Sequence, residues 1–258
     1  MQQWQQHIQL FLKMKKSKPN ILAIIPARSG SKGLKNKNIK KIKNKSLIQY
    51  AIDAAISTNI FSHILLTSDS IKYKKEITHY NNKVDFILRD RKLSFDTSNT
   101  LDTWRDSVRK SEKKYNKIFK YSFLLEPTNP LRNVSDLKKL YKKINNSKYD
   151  GVLTISPTPE TFTKEKTLVI KKKKLSYYVA SGAKYSIRQY IPKQFHRNGI
   201  GYVAKRDYIF KCKNDFLSGK IGFVIIDRIN INIDNINDFN IAKILIENDK
   251  KINWKNIR

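Results

Sequence analysis

Hydrophobic positions along the chain fall into two rhythms. Short, β-branched runs at residues 21–26, 63–67, 84–88, 121–125 and 151–156 read as strands buried on both faces. Between them, apolar residues recur at helical spacing. Leu47, Ile48, Ala51, Ile52, Ala55 and Ile56 share one face behind Ser46 as N-cap, and Leu101, Trp104 and Val108 share another. Residues 71–79 and 134–144 complete the early helices. Strands alternating with helices of about ten residues predict an α/β fold, its mostly parallel sheet covered on both faces.

The rhythm changes after Pro157. Residues 167–170 and 175–179 read as a lysine-rich hairpin, and 184–195 have no clear period. Strand character returns at 199–204 and 222–226, and 236–247 close as an amphipathic helix. The expected organisation is an N-terminal extension over 1–20, read as disordered, then one domain over 21–258 with a β-rich insertion at about 157–196. Met14, just ahead of Lys15 and Lys16, is a candidate start.

Composition narrows the classes. The 258 residues allow one or two domains at roughly 150 residues each. A single cysteine, Cys212, forms no intrachain disulfide, and four dispersed histidines leave no Cys/His zinc site. No apolar run approaches the roughly 18 residues of a membrane span, and the opening segment lacks the order of a signal peptide. A soluble, cytoplasmic protein without a membrane partner is expected. The net charge of +32 invites a nucleic-acid surface. Its lysines, however, are spread along the whole chain, alongside abundant Ile and Asn, as A/T-rich coding would produce. They read as solvated faces, and no specific nucleic-acid partner is expected. A basic, non-catalytic, nucleic-acid-binding α/β protein stays open as a rival.

The chemistry concentrates in the loop after the first strand, Ile25-Pro26-Ala27-Arg28-Ser29-Gly30-Ser31-Lys32-Gly33-Leu34-Lys35-Asn36-Lys37-Asn38. Such a loop lies at the carboxyl edge of a parallel sheet, where ligands bind. Gly30 and Gly33 would let the backbone approach a ligand and adopt positive φ. Ser31 offers a hydroxyl and amides, and Arg28 and Lys32 offer charge to phosphate oxygens. The spacing matches neither the P-loop nor the dinucleotide fingerprint. An ordinary βα turn with basic residues is the bland alternative.

Ile-Pro-Ala-Arg-x-Gly-Ser-Lys-Gly with Lys37-Asn38 resembles the opening signature of the acylneuraminate cytidylyltransferases, the CMP–sialic acid synthetases. Further segments resemble that family in its own order. They are Thr67-Ser68-Asp69; Leu88-Arg89 with Leu93, Asp96-Thr97 and Thr100; and the turn Pro127-Thr128-Asn129-Pro130-Leu131-Arg132. Arg188-Gln189, Pro192, Phe195, Arg197-Asn198-Gly199 and Tyr202 follow, then Ile233-Asp234 with Asp238-Phe239.

The resemblance implies a three-layer, Rossmann-like nucleotidyltransferase that moves CMP from CTP to the anomeric hydroxyl of a nonulosonic (nine-carbon 2-keto) sugar acid, releasing pyrophosphate. It nominates Arg28, Ser31 and Lys32 for the phosphates, and Lys37, Asn38, Arg89 and Thr100 for cytosine and ribose. Asn38 and Thr100 are alternatively caps, and Arg89 a surface arginine. Arg188 would pair with the sugar carboxylate, its planar guanidinium matching a carboxylate bidentately, while Gln189 and Asn198 would bond hydroxyls or the acylamino group. Alternatively, Arg188 only lies on a basic surface. Asp234 would be the principal ligand for Mg²⁺ and a candidate base, with Arg28 and Lys32 as the other catalytic residues that the resemblance implies. A homodimer is implied, with the insertion pairing two subunits and lending residues to the neighbour's sugar site. The product would feed surface glycan synthesis.

Two positions depart from the family pattern. Asn232 stands where the first Asp of Asp-Ile-Asp is usual, and Glu126 where Gln is usual. Glu126 is a candidate to replace the missing carboxylate as a metal ligand beside Asn232 and Asp234. Its bland alternative is a residue that caps the turn or faces solvent. A cytidylyltransferase for another sugar acid is the nearest rival reading.

Overall fold

A computed structural model describes residues 20–95, 97–185 and 187–248, without the Arg188 side chain. The expected extension over 1–20 lies, apart from Asn20, outside the described residues, as does Asp96.

The chain begins with β1 (Ile21–Pro26), the two-residue strands β2 (Lys41–Ile42) and β3 (Lys45–Ser46), α1 (Leu47–Thr58), β4 (His63–Ser68), β5 (Asp85–Leu88), α2 (Thr100–Tyr115) and β6 (Tyr121–Leu124). It continues through α3 (Val134–Asn145), β7 (Gly151–Pro157), the hairpin β8 (Leu168–Lys171) and β9 (Lys174–Tyr177), β10 (Phe195–Lys205), α4 (Arg206–Lys211), β11 (Ile221–Ile225) and α5 (Ile236–Glu247). Seven strands form one sheet in the order β11-β7-β10-β6-β1-β4-β5. All neighbours are parallel except that β10 runs antiparallel to both β6 and β7. The expected α/β fold with a mostly parallel sheet is present.

Strand β1 shows why its residues are apolar throughout. Alternate side chains leave a strand on opposite faces. Ile21, Ala23 and Ile25 join α1 and α3 in one core, while Leu22 and Ile24 meet Leu101, Trp104 and Val108 of α2 in the other. Helix α1 starts where predicted, with a capping box in which Ser46 Oγ accepts from Gln49 N and Gln49 Oε1 accepts from Ser46 N. A third core joins Leu34 of the first loop, Ile42 and Leu47 to Ile233, Phe239 and Ala242 at the start of α5. That core fastens the loop after β1 to the other end of the chain.

Three local expectations change. Residues 71–79 form a 3₁₀ segment, Ile71–Tyr80, not a regular helix. Tyr73 is its one buried residue, so packing provides no stripe to hold a longer helix. Thr100 does not cap α2. Asn99 does, its Oδ1 accepting from Leu101 N at 2.9 Å. Among the described residues between β7 and β10 there is one hairpin, the rest being loops and the 3₁₀ turns Glu160–Phe162, Ala180–Lys184 and Arg188–Tyr190.

Candidate active site

The loop after β1 is held in place by its own backbone partners. Ala27 N donates to Thr67 O at 2.9 Å, continuing the β1–β4 ladder past the strand end. Asp69 then clamps the loop: Ser29 N donates to its Oδ1 and Ser29 Oγ to its Oδ2, each at 2.9 Å. Asn38 Nδ2 donates to Arg28 O at 2.9 Å, tying the far end of the loop back to its start. Lys37 reaches across to the segment before α5, with Nζ 2.7 Å from Ile233 O and 3.0 Å from Asp234 Oδ1.

Neither Gly30 nor Gly33 has a positive φ, so the expected left-handed backbone is absent there. Gly33 is required by space. A Cβ placed on it would lie 2.4 Å from Asp234 O, so the loop packs directly on that carbonyl. The close approach is to protein backbone; Gly30 has nothing within 4 Å.

A cavity of about 320 Å³ opens over the carboxyl ends of β1, β5 and β6. Arg28, Ser31, Lys37, Asn38, Arg89 and Thr100 line it. So do Glu126, Asn232 and Asp234. Arg89 is 7 % exposed, and its Nε donates to Ser94 Oγ at 2.7 Å. Burial pulls its guanidinium below the usual arginine value; Asp69 opposes the shift and nearby Arg28 reinforces it. Burial pushes the Glu126 carboxyl up, and Arg132 and Lys37 pull it part of the way back. Asp234 stays exposed at the rim.

A second cavity, of about 530 Å³, adjoins the first and shares Thr100, Glu126 and Asn232 with it. Arg197, Gly199 and Tyr202 of β10 line it, as do Asn214, Asp215 and Phe216 from the loop after α4. The β10 side is shaped by a break in register between Arg197 and Tyr202, where Gly199 takes a φ of 72° that favours glycine. Arg132 secures this bulge. Its Nη2 donates to Glu126 O at 2.7 Å and Gly199 O at 3.4 Å, and its Nε donates to Ile200 O. Burial pushes the Arg132 guanidinium down to about 10.

The remaining nominated residues lie elsewhere. Asn198 is 4 % exposed and fully engaged within the protein. Its Oδ1 accepts from Thr154 Oγ1 at 2.5 Å and Ile200 N at 3.1 Å, and its Nδ2 donates to Ser156 Oγ at 2.9 Å. It supports the bulge from behind and presents no amide to the second cavity. Lys32 and Gln189 are exposed and line neither cavity. The Arg188 side chain lies outside the described residues.

Sequence reasoning did not single out Asp69 as the loop clamp, although it stands in the Thr67-Ser68-Asp69 segment. It also passed over Arg197, Tyr202, Asn214 and Asp215 as lining residues. Arg197 and Tyr202 belong to a quoted motif, whereas Asn214 and Asp215 belong to none.

A basic, glycine-containing loop at the carboxyl edge of a mostly parallel sheet, beside two adjoining cavities, defines a Rossmann-like nucleotidyltransferase. More specifically, the chain belongs to the cytidylyltransferase family, whose model matches residues 22–252; it is a CTP-dependent nucleotidyltransferase. It is 31 % identical over 234 residues to the post-translational flagellin modification protein B of Campylobacter coli, covering 88 % of this chain and 95 % of that one. It is likewise 31 % identical to the CMP-N,N'-diacetyllegionaminic acid synthase of Campylobacter jejuni, covering 88 % of this chain and 94 % of that one. The N-acylneuraminate cytidylyltransferase of Escherichia coli is 28 % identical over 86 % of this chain, which spans 51 % of that longer protein. Among solved structures, a CMP:2-keto-3-deoxy-manno-octonic acid synthetase complexed with CTP shares the fold, at a TM-score of 0.67 and 14 % identity over 89 % of this chain and 99 % of that one.

Among the described residues, no helix is long and apolar enough to cross a membrane, and no group of three His, Cys, Asp or Glu residues gathers to hold a metal.

Proposed function

We propose that the protein transfers CMP from CTP to the anomeric hydroxyl of a nonulosonic acid. The supporting observation is the pair of adjoining cavities that meet at Thr100, Glu126 and Asn232. The first suits a nucleoside triphosphate and the second the acceptor. The hydroxyl oxygen attacks the α-phosphorus, the bond to pyrophosphate breaks, and the hydroxyl proton leaves to a base. Such a transfer needs positioning and charge neutralisation more than enzyme covalency. Arg28, Lys32 and Lys37 provide cationic charge around the loop, Ser31 a hydroxyl, and Arg89 a buried donor at the cavity wall. The acceptor carboxylate finds Arg197 in the second cavity.

The donor set suits Mg²⁺, which takes oxygen ligands and commonly binds one or two carboxylates plus substrate phosphates. Glu126, Asn232 and Asp234 all line the first cavity and would hold it. The ion, when bound, would neutralise phosphate charge. A double-mutant cycle tests the compensation. Glu126→Gln alone is expected to weaken Mg²⁺ dependence, and adding Asn232→Asp to restore it. Strictly additive effects would sink the idea.

The homodimer belongs to the same proposal. Phe162, Ile170, Leu175, Tyr178 and Tyr190, all between β7 and β10, are each 62–77 % exposed, an apolar surface suited to a second copy. A partner's insertion would bring Arg188 and Gln189 to the acceptor. Light scattering giving a monomer mass at micromolar concentration would remove that element.

The functional test is pyrophosphate release from CTP with Mg²⁺ against a panel of 2-keto sugar acids. Release with nine-carbon acids is expected. No release with any acid, together with salt-dependent DNA binding, would favour the rival nucleic-acid reading.

A further inference from the structure

Three stretches of chain meet where the two cavities adjoin. Glu126 stands at the head of the turn after β6, Gly199 in the β10 bulge, and Asn232 in the segment before α5. They approach closely. A Cβ placed on Gly199 would lie 3.4 Å from Glu126 Oε2, 3.6 Å from Asn129 Nδ2 and 3.6 Å from Asn232 Cγ. Whatever fixes these stretches relative to one another therefore fixes how one cavity faces the other.

Hydrogen bonds close a triangle around that point. Asn198 lies inside the register break of β10, where neither β6 nor β7 pairs with it. A carbonyl taken out of its ladder needs other donors, and its two lone pairs accept two. Asn129 Nδ2, from the turn, donates to Asn198 O at 2.7 Å. Asn230 Nδ2, from the segment before α5, donates to the same oxygen at 3.0 Å. The third side joins turn to segment directly, Ile233 N donating to Thr128 O at 2.8 Å. The Asn198 side chain is anchored separately to Thr154 and Ser156, and Ser156 Oγ donates onward to Ile226 O at 2.8 Å. Asn129 is fully buried, and neither Asn129 nor Asn230 lines a cavity. Their amides serve the backbone.

We propose that Asn129 and Asn230 are positioning residues for the transfer. By gripping one backbone oxygen, their amides set the acceptor wall, which carries Arg197 and Gly199, against the nucleotide wall, which carries Glu126, Asn232 and Asp234. The assignment rests on the first cavity taking the nucleotide and the second the acceptor. Transmission is short: Asn129 is three residues from Glu126, Asn230 is two from Asn232, and Asn198 adjoins both Arg197 and Gly199. Removing either amide opens one side of the triangle, and the bulge then shifts against the bound triphosphate. Attack of a hydroxyl oxygen on phosphorus tolerates little of this, since a misplacement of about 1 Å costs on the order of 100-fold in rate.

The test measures pyrophosphate release from CTP with Mg²⁺ and nine-carbon 2-keto sugar acids, for the parent, Asn129→Ala, Asn230→Ala and the double variant. Each single variant is expected to lose about tenfold in kcat and the double variant about 100-fold. The KM for CTP should stay within about twofold of the parent's, and the CTP-induced rise in melting temperature should persist. A fastening that served stability alone would lower the apo melting temperature and leave the kcat of the folded fraction unchanged. Asn230 is only half-buried, so Asn230→Ala carries the test if the Asn129 variant does not fold. Variants within about twofold of the parent in kcat overturn the assignment, as do variants whose KM for CTP rises as much as kcat falls. Either result leaves the proposed function standing. A parent that releases no pyrophosphate with any of the acids removes both.

Discussion

Gly33→Ala is expected to abolish nucleotide-dependent activity while leaving the chain folded. The added Cβ would lie 2.4 Å from Asp234 O, a backbone atom that cannot swing aside like a side-chain end. The loop must therefore move away from Asp234. That displacement pulls on Lys37, whose Nζ bridges Ile233 O and Asp234 Oδ1, and on Leu34, which packs with Ile233 and Phe239. Arg28, Ser31 and Lys37 of the loop and the Asp234 carboxylate, which line one cavity, would no longer keep their relative positions. A misplacement of about 1 Å in a positioning-dominated reaction costs on the order of 100-fold in rate. A fall of at least that size in kcat/KM for CTP is expected, together with loss of the CTP-induced rise in melting temperature. Gly30→Ala supplies the stability comparison, because its Cβ meets nothing within 4 Å and the apo melting temperature should not change. A Gly33→Ala enzyme within about threefold of the parent would show that the contact does not position the loop.

The second large effect is on stability. Arg132 is 6 % exposed and serves the backbone carbonyls of Glu126, Gly199 and Ile200. Arg132→Met preserves much of the volume and removes every donor, leaving those buried acceptors without this partner. At about 1–3 kcal/mol for each group left wanting, partly relieved by water, a loss of about 3 kcal/mol is expected. That corresponds to a fall of roughly 6–12 °C in melting temperature for a chain of this size. Because the same bonds shape the Gly199 bulge, the KM for the acceptor should rise more than that for CTP. Arg132→Lys retains a buried cation but lacks the fork that reaches β6 and β10 together, so it should fall between the two. A methionine variant melting within about 2 °C of the parent would show that water replaces the guanidinium fully.

The layered architecture was legible because β1, β4 and β6 are short apolar runs and α1 and α2 keep one apolar stripe each. The direction of β10 was not legible, since alternation tells which face a residue takes and is silent about which way the strand runs. The convergence of Glu126, Asn232 and Asp234 on one cavity was readable from their positions at strand ends, given a parallel sheet. Asn198 misled because an asparagine beside a glycine suits a ligand and a buried bulge equally well, and only the partners Thr154 and Ser156, more than forty residues away, decide between them. The cap of α2 slipped by one residue because Asn99 and Thr100 are both competent N-caps.

The bridge from Lys37 to Ile233 spans 196 positions of sequence. During synthesis the loop after β1 leaves the ribosome well before the segment it rests against. At about 5–20 residues per second, roughly 10–40 s separate the two. Throughout that interval the nascent chain has its basic loop without the wall that aligns it. A ribosome-stalled chain ending before residue 233 would therefore contain most of the sheet and still lack the backbone against which the loop rests.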